Sequence, residues 1–207
     1  MKTASEYRKE AKLQCDPYVK VLMLIMLIVG LIELVIGFTI KETQPDGLVI
    51  ERQPFGILAY FLIGPITLGW MIVGKKISNS EEVKVGTIFE GFKTQYWKAN
   101  LANLLQTIYL IGWALISFGI MAIVKSLAYS MTYFVMEENP SLSANEAITE
   151  SRRLMNGHKA DLFWLGLTYI GWMLLCALTF GILYLWVGPR MQQAFYLFYK
   201  DCASEAK

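Results

Sequence analysis

Histidine occurs once among the 207 residues, cysteine three times and proline six times. Each shortage removes a class of chemistry. Cys15, Cys176 and Cys202 lie far apart with no Cys-x-x-Cys, so neither a disulfide scaffold nor a zinc site is expected. The single histidine, His158, has no recognisable carboxylate or cysteine partner, which leaves no metal site and no catalytic triad to assign. The chain also lacks a P-loop, a Gly-x-Gly-x-x-Gly turn and a His-Glu-x-x-His helix. No catalytic residue, metal or cofactor is therefore assigned, and an enzyme is the least favoured class. The net charge is only +2, which gives no reason to expect a nucleic-acid partner.

Apolar residues are what the chain has in excess, at 55% against the ~45–50% of soluble domains. They gather into runs long enough to cross a ~30 Å hydrocarbon layer, which takes about 20 residues. Such runs are Val21 to Ile40, Phe55 to Gly74, Leu162 to Leu178 and Phe180 to Tyr199. The last two leave room only for a tight turn at Thr179-Phe180-Gly181. The first 17 residues are polar. The run after them is too long for a cleaved signal and has no Ala-x-Ala site, so it reads as an uncleaved first span. The stretch Leu101 to Met136 would be ~54 Å long as one helix. The alternative is a compact hairpin turning near Gly119.

Charge decides between these. Cytoplasmic loops collect Lys and Arg. With a turn at Gly119, 15 of the 19 Lys and Arg fall in segments on one side. A single helix would move Arg152, Arg153 and Lys159 to the other side. The expected fold is thus an all-α, polytopic membrane bundle of six transmembrane helices in three hairpins, with both termini cytoplasmic. It forms one integral membrane domain over residues 1–207.

A short repeat agrees with that count. Phe-Gly-Ile recurs at 55–57, 118–120 and 180–182, each time where an even-numbered span should begin. Hairpin repeats over 1–74, 81–136 and 143–200 follow. The second and third are preceded by amphipathic stretches. Val85, Ile88, Phe89, Phe92 and Tyr96 share one helical face, and so do Ala144, Ala147, Ile148, Ser151, Leu154 and Met155. Ser143 with Glu146 reads as a capping box, and Gly157 as the residue that ends the helix. Both stretches are expected to lie on the cytoplasmic interface, with Arg152, Arg153, Lys93 and Lys98 facing lipid headgroups. Docking on a partner protein is the alternative use of the same faces.

Several motifs resemble those of an uncharacterised bacterial multi-pass membrane family, domain of unknown function 975. They are Gly64-Pro65 with Gly69, Phe89-Glu90-Gly91-Phe92, and Asn139-Pro140-Ser141-Leu142-Ser143 through Glu146-Ala147-Ile148. Ser151 through Lys159, Ile170-Gly171-Trp172, Leu178 through Ile182, Leu185-Trp186-Val187 and Phe198-Tyr199 complete the set. The chain departs where the family has Pro-Gly-Ile in place of Phe118-Gly119-Ile120 and Pro-Tyr in place of Pro189-Arg190. The resemblance implies a location in the bacterial cytoplasmic membrane. It implies no activity, so it transfers no catalytic residues.

Three charges fall inside expected spans: Glu33, Lys125 and Arg190. Such residues usually face a bundle interior and pair, so Glu33 is expected to pair with Lys125 or Arg190. Gly64-Pro65 and Gly188-Pro189 interrupt spans 2 and 6 at matching repeat positions. Paired interruptions of this kind point either to an intramembrane site or to close helix packing. Two functions compete. One is a non-enzymatic subunit or modulator of a membrane complex, with a membrane-protein partner. The other is a small carrier or channel for a solute, ion or lipid. A lipid-modifying enzyme dependent on His158 or Asp161 is the weaker third.

Overall fold

The computed structural model of the chain describes residues 1–37, 40–43, 49–52, 54–117 and 120–206. Eleven helices lie among them: α1 (Ala4–Cys15), α2 (Val19–Ile36), α3 (Gly56–Ser78), α4 (Glu90–Thr94), α5 (Tyr96–Ser117), α6 (Ile120–Tyr129), α7 (Thr132–Glu138), α8 (Ala144–Leu154), α9 (Lys159–Leu167), α10 (Ile170–Leu178) and α11 (Tyr184–Glu205). The one departure from an all-helical fold is an antiparallel ribbon of β1 (Ile40–Thr43) and β2 (Val49–Arg52), in which Ile40 pairs with Arg52 and Thr43 with Val49. The first apolar helix therefore stops at Ile36, and Ile40 belongs to a strand.

Three helical stretches are long and apolar enough to cross a membrane: Ala4–Ile36, Tyr96–Ile116 and Lys159–Leu178. Their side chains are mostly outward. Leu34 is 71% exposed, Leu115 78% and Leu178 77%. Apolar faces of this extent are not tolerated in water. Against lipid tails they cost nothing, because the tails are as apolar as leucine.

Local chemistry sets the ends of the helices. The expected capping box is formed at α8: the Ser143 amide donates to Glu146 Oε2 at 2.7 Å, and the Glu146 amide to Ser143 Oγ at 3.3 Å. Thr3 and Glu6 make the same arrangement at α1. Gly157 takes φ +90°, as a helix-ending glycine should. The turn between α10 and α11 falls where expected, with Phe180 and Gly181 both at positive φ and the Gly181 amide closing back on the Cys176 carbonyl at 2.8 Å.

The stretch Leu101 to Met136 is not one helix but falls into α5, α6 and the start of α7. Tyr129 lies 6.2 Å from Tyr109, ring to ring, and Lys125 sits over Trp113. Gln95 donates to the Met136 carbonyl at 3.0 Å. Partners thus run in opposite directions, so α5 is antiparallel to α6 and α7. The expected turn at Gly119 lies outside the described residues. Elsewhere the packing crosses the expected hairpins: α2 lies chiefly along α11, and α3 along α5.

The amphipathic stretch before α5 is not one α-helix. Val85–Phe89 forms a 3-10 turn, and α4 is a single short helix. The cause is a backbone-on-backbone crossing with α3. A Cβ on Gly69 would overlap the Ile88 carbonyl oxygen, and one on Gly91 would overlap that of Pro65. A Cβ on Gly64 would come within 2.8 Å of the Ala99 carbonyl. The segment bends to fit this crossing. Nor does the apolar stripe of α8 face outward. Ala144, Ala147, Ile148, Ser151 and Leu154 are buried against the chain's own α5 and α7. Ser151 Oγ donates to the Ala128 carbonyl at 2.8 Å and accepts from the Met131 amide at 3.2 Å. The stripe marked a buried face correctly, but periodicity does not name what covers it.

Candidate functional site

The segments before α2, between α3 and α5, between α7 and α9, and at the end of α11 meet at one end of the bundle. The Met1 amino group lies 3.1 Å from Glu205, and Lys2 bonds Glu10 at 2.8 Å and approaches Asp201 at 4.0 Å. Lys75 pairs with Glu137 at 3.3 Å and Lys76 with Glu90 at 2.7 Å. Lys98 donates to the Pro140 carbonyl at 2.6 Å, so this cation ties α5 to the loop before α8. Lys93 is exposed. Partial burial raises the pKa of Glu137, with Lys75 opposing the shift. The backbone bond from Ser143 lowers that of Glu146.

His158 has carboxylates beside it after all. Its Nδ1 is 3.8 Å from Asp161 and its Nε2 3.7 Å from Glu205. Asp161 stands at i+3 and was readable; Glu205 is brought in by the fold. Among the described residues no three His, Cys, Asp or Glu side chains gather in a metal-binding group.

The three charges expected inside spans do not pair with one another. Arg190 bonds Asp16 at 2.6 Å and the Trp186 carbonyl at 3.1 Å, and its guanidinium stacks 3.6 Å from the Trp186 ring. Lys125 lies 4.3 Å over the Trp113 ring. The expected Glu33 ion pair is thus absent, and the reason is depth. Asp16 precedes Glu33 by 17 residues, about 25 Å along a helix, and the long Arg190 side chain reaches toward that nearer end. Lys125 instead lines a basic cleft with Arg152, Arg153 and Lys159. Arg153 there bonds Glu150 at 2.6 and 2.8 Å, and Arg152 is exposed.

Glu33 lines a cavity of about 350 Å³ between α2, α3 and α11, together with Thr67, Trp70, Tyr184 and Gln192. Thr67, Met71 and Gln192 also line a larger cavity of about 510 Å³. Its other walls come from α6, α7 and α9, among them Leu127, Phe134, Phe163 and Gly166. The two spaces adjoin at those three shared residues. Gln192 Nε2 approaches Met71 Sδ at 3.6 Å. The lining is apolar apart from a few placed polar groups, the usual make-up of a small-molecule site.

The helix interruptions allow close packing, and Gly188 also lines the cavity that holds Glu33. Gly64 lets α5 approach α3 at Ala99, and a Cβ on Gly188 would overlap the Met26 side chain of α2. Pro65 and Pro189 sit inside continuous helices. Cys15 Sγ donates to the Pro189 carbonyl at 3.8 Å.

Apart from a short ribbon, the described residues form an all-helical protein, with three helices among them long and apolar enough to cross a membrane. Over residues 114–206 it matches the model of the family described as protein of unknown function (DUF975), so this part carries that family's pattern. No curated protein and no solved structure matches the chain.

Proposed function

We propose that the chain is a multi-pass membrane protein of six helical passes, with both termini on the cytoplasmic face of a bacterial cell membrane. It works without covalent chemistry, as a small carrier that holds an apolar or amphipathic molecule inside its bundle. The one-ended gathering of the segments that carry most Lys and Arg supports the topology, since cations concentrate on the cytoplasmic side. The observation that carries the function is the 510 Å³ cavity between α3, α6, α7, α9 and α11. It falls within the ~300–1,000 Å³ of ligand pockets. It adjoins the space lined by Glu33, which offers a polar contact to the head of an amphiphile.

Gly166 lines the cavity, and nothing lies within 4 Å of a Cβ placed there. Gly166→Phe should therefore fill the space without disturbing the fold. The test is transfer of candidate lipids and apolar solutes by the purified chain in proteoliposomes, with mass spectrometry of what co-purifies. Wild type should retain or move a molecule that G166F does not, at equal thermal stability. Equal behaviour of the two proteins would refute the carrier reading. A stoichiometric protein partner in mild detergent, with no retained molecule, would favour a complex subunit.

A further inference from the structure

A third cavity, of about 380 Å³, lies between α1 and the α10–α11 pair, apart from the space assigned to the carrier function. Arg8, Lys9 and Lys12 of α1 and Arg190 of α11 supply its cations. Tyr169, Trp172 and Trp186 form an aromatic wall. No carboxylate lines it. The opposite face of α1, with Tyr7, Ala11 and Cys15 buried, fixes which way the helix is turned.

The charge is poorly balanced. Among the described residues, Arg8, Lys9 and Lys12 have no acidic group within ion-pair distance, and only Arg190 has one, Asp16. Arg190 Nε is buried without a hydrogen-bond partner. The two terminal NH groups of Arg190 are held by the Trp186 carbonyl and Asp16, which fixes the guanidinium at the edge of the cavity. Arg8 faces the Tyr169 ring at 5.4 Å, and the Trp172 and Trp186 rings are 6.4 Å apart. Past Trp172, α10 continues into exposed Met173, Leu174 and Leu178. One side of the cavity is therefore cationic and the other joins a lipid-facing helix.

We infer that this cavity seats the phosphate-bearing headgroup of an anionic glycerophospholipid. Arg8, Lys9 and Lys12 face the phosphate, and Arg190, held by Asp16 and the Trp186 carbonyl, adds its charge at the rim. Trp172 and Trp186 pack against the glycerol and the first acyl carbons. Free phosphate would satisfy the cations but leave the aromatic wall empty, and the wall is what commits the site to lipid. Basic pockets between membrane helices on the cytoplasmic side are a recurrent way of holding charged headgroups.

The test uses the full chain in neutral detergent. It is titrated separately with dioleoyl phosphatidylglycerol, dioleoyl phosphatidylcholine and inorganic phosphate, and read by thermal unfolding and native mass spectrometry. Phosphatidylglycerol should raise the melting temperature and remain as a discrete adduct; the other two should do neither. Arg8→Gln with Lys12→Gln should weaken that response roughly 30-fold, the attraction two cations exert on an anionic surface. Lys84→Gln with Lys200→Gln, both exposed and outside the cavity lining, removes equal charge elsewhere and should leave it unchanged. Equal responses to both lipids, a response to phosphate alone, or equal loss in both double variants would overturn the assignment. If R8Q/K12Q does not fold, the three-ligand comparison on the wild type decides.

Discussion

Adding one methyl group at Gly69 or Gly91 should force α3 and the 85–94 segment apart. At Gly69 the new Cβ would lie 2.7 Å from the Ile88 carbonyl carbon and overlap its oxygen. Carbon atoms in contact prefer ~3.5–4.0 Å, so the crossing must open by about 1 Å. Backbone cannot rotate away as a side chain end can. Overpacking of this kind costs ~1–3 kcal/mol, less the ~0.8–1.0 kcal/mol that alanine gains over glycine inside a helix. Gly30→Ala and Gly112→Ala are the controls, because nothing lies within 4 Å of a Cβ at either site. They keep the helical gain and pay no clash. In a chain of this size each kcal/mol shifts melting by ~2–4 °C. Thermal unfolding in one detergent should therefore place G69A and G91A below wild type and G30A and G112A at or above it. G69A/G91A together should cost less than the sum, since both push on one crossing. If G69A and G91A melt with the controls, the close crossing is not a feature of the folded protein.

Two further outcomes follow from the end of the bundle where the charged segments meet. Ser143→Ala removes the α8 cap and should cost ~1 kcal/mol, read by thermal unfolding at pH 7. The folded pKa of Glu146 lies below its ordinary value, so its contribution is complete above the usual carboxylate range. It is lost as pH falls through the lowered value, and Glu146→Gln should flatten that acid limb. Lys75→Met leaves Glu137, whose side chain is 15% exposed, without its cation. The loss should be ~1–2 kcal/mol, less than for a fully buried pair because Lys75 itself is a third exposed. The already raised pKa of Glu137 should rise further in K75M, so the variant loses stability as pH climbs through that higher value. Adding Glu137→Gln should restore most of it; a double mutant no better than K75M would refute the pairing.

The sequence announced what depends on neighbours a few residues away. The Ser143–Glu146 box, the turn at Phe180-Gly181 and the positive φ of Gly157 need only local rules. The long apolar runs needed only counting. It failed where partners come from far along the chain. Residue counting gave Arg190 a depth but not the direction of its side chain, so Asp16 went unseen. The stripe of Val85 to Tyr96 looked like one helix because periodicity is blind to a backbone crossing at Gly69 and Gly91. The ribbon was missed although Pro45-Asp46-Gly47, a turn signal, stands between two short alternating runs. The basic cavity beside Trp172 joins residues 8, 12 and 190, and no spacing rule links those positions.

All three thiols are folded inward: Cys15, Cys176 and Cys202 are buried, and burial pushes the Cys202 pKa up to about 12. Only a thiolate reacts readily with water-soluble maleimides, so the native chain is nearly silent to them. Single cysteines placed at Leu13, 70% exposed, and at Phe180, 97% exposed, would then label against a dark background. Intact cells should modify one and spare the other, and the protein comes ready-made for reading its own sidedness.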